Sequence, residues 1–135
     1  MANYKKIFMK ALDGYKLKYR DNGEDAVFIQ FGGDNMKEIQ IGVFFAENNE
    51  PVVQFCCFPI ASFKNKELEG LVVCNELNAE YRWFKFYLDK DKDVICLSDA
   101  LLDEDSAGEE CIDRLQRLVR IVDEVYPRFM RALYA

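Results

Sequence analysis

Residues 75–102 read NELNAEYRWFKFYLDKDKDVICLSDALL, and the order of signals along them decides the fold. The segment opens on the polar end of a helix. Trp83, Lys85 and Tyr87 then alternate with Phe84, Phe86 and Leu88, the period of two that sets successive side chains on opposite faces of a strand. The acidic turn Asp89-Lys90-Asp91-Lys92-Asp93 reverses the chain, and residues 94–99 return as the partner. So short a connection makes the two strands antiparallel. The stretch thus predicts a helix over 65–80 and strands over 83–88 and 94–99.

Working upstream, the helix over 65–80 is read from Leu68, Leu71, Val72, Asn75, Leu77 and Asn78. Gly70 lies inside it, where glycine costs on the order of 1 kcal/mol against alanine and is tolerated for close packing. Before it, Asn48-Asn49-Glu50-Pro51 turns the chain into a strand over 52–58, and Ile39, Ile41, Val43 and Phe45 mark another. Gly32-Gly33-Asp34-Asn35 and Asn22-Gly23 are turns, with strands predicted over 26–31 and 15–20. At the start, Tyr4, Ile7, Phe8, Ala11 and Leu12 share one helical face over 3–13, with Asn3 placed as the cap and Gly14 as the stop.

Downstream, Ser106 and Glu109 have the spacing of a capping box. The long helix that follows carries Cys111, Leu115, Leu118, Val122, Val125, Phe129 and Leu133 on one side. Pro127 predicts a kink or break near Val125. The element order is α-β-β-β-β-α-β-β-α in one domain over 1–135. Hairpin connections with helices between runs of strands predict an α+β fold, an antiparallel sheet with helices packed on one face.

The chain of 135 residues carries 24 acidic and 18 basic side chains, a net charge of −6. That balance argues against nucleic acid or an anionic membrane as partner, because phosphate binding needs clustered Lys and Arg. The charge is uneven: Lys5, Lys6, Lys10, Lys16, Lys18 and Arg20 stand against Asp13 alone in the first twenty residues. Cys56, Cys57, Cys74, Cys96 and Cys111 are odd in number, lack C-x-x-C spacing and sit in apolar runs. They read as buried thiols of a reducing compartment, which with the absence of a sustained apolar segment predicts a cytoplasmic protein.

Catalytic chemistry finds little support. There is no histidine, so a cysteine nucleophile would lack its usual base. Asp89, Asp91 and Asp93 imitate the start of a calcium loop, but the required glycine and glutamate are replaced by Val94 and Ala100. Gly32-Gly33 opens a strand and not the helix that a phosphate cradle needs. The acids fall in turns and on polar faces, where they keep ordinary pKa values. The chain is therefore expected to be no enzyme, with no metal and no cofactor.

One apolar excess remains. If Ile39, Ile41, Val43, Phe45, Phe84, Phe86 and Leu88 face the helices, then Phe44, Val52, Cys56, Trp83, Tyr87 and Val94 point to the other sheet face, which would normally be polar. Phe44, Val52, Trp83 and Tyr87 are the candidate binding residues for a protein partner or a second copy. A pocket between sheet and helices, lined by Phe28, Phe55 and Phe86, is the alternative, and would make the chain a sensor of a small ligand.

Asn75, Asn78, Phe84, Tyr87, Leu88, Asp89, Asp93, Val94, Asp99 and Leu102 resemble the YbjN-like family of bacterial proteins, in which an asparagine-bearing helix end precedes a strand closing in Y-L-D, an acidic turn and a D-x-x-L segment. That family is described as sensory transduction regulators, with a fold similar to the type III secretion chaperones, small acidic dimers that hold an extended client segment. The resemblance implies no catalytic residues. It implies a binding or regulatory module, chaperone-like, that holds a partner polypeptide or forms a homodimer.

Overall fold

The structure, a computed structural model, describes residues 2–135. The elements follow as α1 (Tyr4–Gly14), β1 (Arg20–Asp21), β2 (Ala26–Phe31), β3 (Ile39–Phe45), β4 (Val52–Cys57), α2 (Glu67–Glu80), β5 (Lys85–Leu88), β6 (Val94–Leu101) and α3 (Ala107–Tyr134). The strands form one antiparallel sheet in the order β1-β2-β3-β4-β6-β5. The crossover through α2 carries the chain past β6 to the edge, and the β5–β6 hairpin brings β6 back beside β4.

Parity sets the core. Val27, Ile29, Ile39, Ile41, Val43, Phe45, Val53, Phe55, Cys57, Phe86, Val94 and Cys96 are all buried on one face. Against them α3 lays Cys111, Leu115, Leu118, Val122, Val125 and Phe129, with Phe8 and Leu12 of α1 beside it. Each such side chain contributes roughly 1.5–3 kcal/mol of burial before chain entropy is subtracted. Val94, expected on the far face, belongs here: it pairs with Leu88 and is fully buried.

Several local expectations change. Asn3 Oδ1 accepts the Lys6 N–H at 3.1 Å as predicted, but Gly14 does not stop α1. Lys16 takes the left-handed conformation at φ 58° and donates to the Asp13 carbonyl, while Leu17 N–H reaches back to Leu12. That C-terminal motif consumes residues 15–17, so the strand predicted over 15–20 shrinks to Arg20 and Asp21. Strand β5 starts at Lys85 because Trp83 sits at φ 76°, outside the strand region. Strand β6 runs two residues further than predicted, to Leu101.

Helix α2 buries the side opposite to the one its spacing suggested. Gly70, Val73, Cys74 and Leu77 face inward, leaving Leu68, Leu71 and Val72 exposed. Phe63 selects that side, since a Cβ on Gly70 would stand 2.8 Å from its ring. The capping box does not form: Ser106 makes no side-chain cap, and the Glu109 carboxylate accepts the Tyr15 hydroxyl at 2.8 Å instead.

Helix α3 continues unbroken through Pro127. Proline lacks the N–H that would bond the carbonyl four residues back, which is Asp123. Asn35 fills the vacancy, its side-chain amide donating to the Asp123 carbonyl at 3.1 Å. The β2–β3 loop closes on the Asp123 carboxylate as well, through the N–H groups of Asp34 (3.2 Å), Asn35 (2.8 Å) and Met36 (2.9 Å). Burial alone would raise this carboxyl's pKa. The three N–H donors, helped by Lys37, outweigh it and hold the group below the usual range. Glycine is required at position 33, where a Cβ would collide with the Asp123 carboxylate and lie 2.7 Å from the Met36 carbonyl oxygen.

Gly33→Ala is therefore expected to cost about 1–3 kcal/mol in urea melts, the usual scale of overpacking. Asp123→Asn tests the carboxylate. Because its folded pKa is depressed, its stabilisation is present above the unfolded carboxylate range and is lost as pH falls through the folded value. The stability gap between wild type and Asp123→Asn is expected to shrink on acidification.

Candidate functional site

Among the described residues no helix packs across the second face of the sheet, the one turned away from the core, although Ile95 at one end is covered beside Phe58 and Pro59. Cross-strand partners share a face, so the register gives its rows directly. Val52 stands opposite Leu101; Ala26, Phe44, Gln54 and Asp99 make the next row. Arg20, Phe28, Gly42, Cys56, Leu97 and Lys85 make a third. Gln30 pairs with Gln40, and Ile95 with Tyr87, at the far end.

Gly42 leaves a gap in the middle that the rings of Phe28 and Phe44 close over. A Cβ there would lie 2.8 Å from the Phe44 ring and 3.2 Å from that of Phe28. The two rings meet edge to face at 5.8 Å, and Phe28 meets Phe58 the same way at 6.3 Å. Arg20 places its guanidinium over Phe28 at 5.3 Å.

Of the four predicted binding residues, the structure brings two together. Phe44 and Val52 line one shallow groove with Gln54, Asp99 and Leu101. Tyr87 is on the same face but borders a different recess, with Cys56, Phe58 and Ile95. Trp83 is not on the sheet: it stands in the α2–β5 connection, 71% exposed and in the left-handed region. Leu101, 81% exposed, was missed together with Phe58. Extending the alternation Ile95, Leu97, Asp99 by one step would have found Leu101.

The alternative pocket does not assemble. Phe28 lies on the outer face, whereas Phe55 and Phe86 are fully buried on the inner one, so the sheet itself separates them. In the β5–β6 turn, Asp89 Oδ1 accepts the N–H groups of Asp91 (2.9 Å) and Asp93 (3.0 Å), a hairpin role. Among the described residues no three Cys, Asp or Glu side chains converge as metal ligands.

The two sheet edges differ. On β5, Asn78 of α2 donates to the Phe86 carbonyl at 2.9 Å and accepts the Phe86 N–H at 2.8 Å. Its side-chain amide thus stands in for a neighbouring strand and closes that edge. Among the described residues no comparable side chain bonds the edge of β2.

Residues 8–131 match the family model YbjN, whose description reads "Putative bacterial sensory transduction regulator". No curated protein matches the chain. Among solved structures, it is similar to the Yersinia pestis type III secretion chaperone SycH, solved in complex with a stable fragment of YscM2. The TM-score is 0.59 at 13% identity, over 89% of this chain and 97% of that one. The likeness is one of fold. No helix among the described residues is long and apolar enough to cross a membrane.

The thiols are the remaining nucleophiles. Burial pushes Cys56 and Cys74 up to about 11 and Cys57 and Cys111 to about 12, and raises Cys96 well above the ordinary thiol range. Cys56 alone of the five is partly exposed, on the interior strand β4 of the outer face. Because only thiolate alkylates, Cys56 is expected to react with iodoacetamide at neutral pH about a hundredfold more slowly than an unfolded cysteine, its rate rising about tenfold per pH unit up to its pKa. Mass spectrometry of the native protein measures this.

Proposed function

The chain belongs to the YbjN family, and from that premise we propose that it is a cytoplasmic bacterial module, one domain and no enzyme, that holds an extended stretch of a partner polypeptide on its outer sheet face. The observation that carries this reading is the uncovered groove of Phe44, Val52 and Leu101 over the central strands β3, β4 and β6. Exposed apolar side chains in adjacent rows of a sheet are costly to leave in water and mark a surface that another chain covers. The groove is shallow and follows the strand rows, so an extended segment fits it better than a globular surface. The fold supports the reading too, since the similar chaperone SycH was solved with a fragment of another protein.

Self-association has its own observation. Leu68, Leu71 and Val72 form an exposed stripe on α2, which is thereby apolar on both sides, and Trp83 follows three residues after the helix. Helices apolar all round are normally buried. A second copy joining along α2 would cover the stripe and leave the outer sheet face free for a partner.

Two variants separate these surfaces. Leu101→Glu places an unpaired carboxylate in the groove and is expected to abolish co-purification of the native partner while leaving sedimentation unchanged. Leu71→Glu is expected to do the reverse, yielding monomer that still binds. Trp83→Gly relieves the left-handed strain, so thermal melts of dilute protein are expected to show stability unchanged or higher by about 1 kcal/mol, with weaker association by sedimentation. A folded Leu101→Glu protein that still retains its partner would remove the groove from partner binding.

A further inference from the structure

The open edge of the sheet, together with the charge beside it, describes a second binding site on a different surface from the groove. In an antiparallel ladder, alternate residues turn their backbone groups to opposite neighbours. The Asp25 carbonyl accepts the Phe45 N–H, so odd residues of β2 face β3. The Ala26 carbonyl accepts the Asn22 N–H, so even residues face β1. Strand β1 pairs only with Phe28 and Val27. The N–H and C=O of Gln30 therefore project past the end of β1, and neither has a partner among the described residues.

The space where a longer β1 would have continued is a recess lined by Lys18, Tyr19, Arg20, Phe28, Gln30 and Gln40. The chain abandons it because the left-handed Lys16 turns residues 15–17 back towards α1. Lys18 and Arg20 border the gap, and neither forms an ion pair among the described residues, although the protein as a whole is acidic. The nearby Asp21 carboxylate is already taken by Lys5 at 2.6 Å. The opposite edge, by contrast, is closed by Asn78.

We propose that the β2 edge at Gln30 accepts a short acidic strand of another polypeptide, which pairs with the free backbone groups of Gln30 and sets its carboxylates against Lys18 and Arg20. Backbone pairing supplies the geometry and the cations select the sign of charge.

A fluorescein-labelled octapeptide of alternating Glu and Val is the probe, with the Lys/Val octapeptide as control, read by anisotropy and by the amide NMR signals of the full chain. The Glu/Val peptide is expected to bind saturably, more weakly as salt is raised, and to shift and protect the Gln30 amide; the Lys/Val peptide is expected not to bind. Gln30→Pro removes an N–H that faces away from β3, a place where an edge strand tolerates proline, and is expected to weaken binding at least tenfold, whereas Gln30→Ala binds as wild type. Absence of Glu/Val binding, or equal binding by a folded Gln30→Pro protein, overturns the proposal. Should Gln30→Pro fail to fold, the variant Lys18→Glu decides: loss of binding supports the site and undiminished binding overturns it.

Discussion

Strands β2 to β6 all contribute to one core, the layer beneath α3, and that single commitment governs what the rest of the surface can be. Side chains alternate along a strand, so burying Ile39, Ile41, Val43 and Phe45 forces Gln40, Gly42 and Phe44 to the far side. Burying Val53, Phe55 and Cys57 does the same to Val52, Gln54 and Cys56. The outer face is thus a by-product of register, and its residue types are free to answer to something other than folding. That they include Phe44, Val52 and Leu101, where a solvated face would carry polar side chains, is what gives the face meaning.

Helix α3 can serve as the lid of that core only if it stays straight enough to reach from Cys111 to Phe129, and Pro127 works against this. The repair comes from 88 residues away in sequence, where Asn35 meets the carbonyl that proline strands and the loop N–H groups grip the carboxylate of the same residue. The two halves of that contact reinforce each other. The proline frees an acceptor, and the acceptor and carboxylate together anchor the β2–β3 hairpin onto α3. Gly33 is the condition for it, because any side chain there would occupy the space of the Asp123 carboxylate.

Where a signal was local, the sequence was legible. Strands β2 and β3 fall where alternation and the Gly-Gly turn place them, and the acidic hairpin between β5 and β6 forms with Asp89 as its organiser. The misreadings share a cause, namely a local pattern outbid by a distant partner or a backbone conformation that the pattern does not encode. Tyr15, Leu17 and Tyr19 alternate like a strand, yet Lys16 at positive φ turns residues 15–17 into a helix cap. Glu109 has the spacing of a capping box, yet Tyr15 claims its carboxylate. Leu68, Leu71 and Val72 have helical spacing, and only the position of Phe63 against Gly70 decides that they point outward. Of the binding residues, Phe44 and Val52 followed from parity, whereas Trp83 needed a dihedral angle and Leu101 the full length of β6.

The outer face is also prepared for contact before any partner arrives. Its residues lie largely on β3, β4 and β6, strands paired on both sides, so the backbone that carries them is already ordered. Phe28, Phe44 and Phe58 brace one another edge to face across the Gly42 gap, which restricts their rotamers without removing them from the surface. A partner segment settling there would pay its own ordering entropy but little on this side of the interface. Unlike the outer face, α2 gains no such bracing for Leu68, Leu71 and Val72, which stand free on a helix with only their spacing in common. The rigid, braced face therefore suits an extended and initially disordered segment, and the bare stripe suits a surface that is itself already folded, such as the same stripe on a second copy.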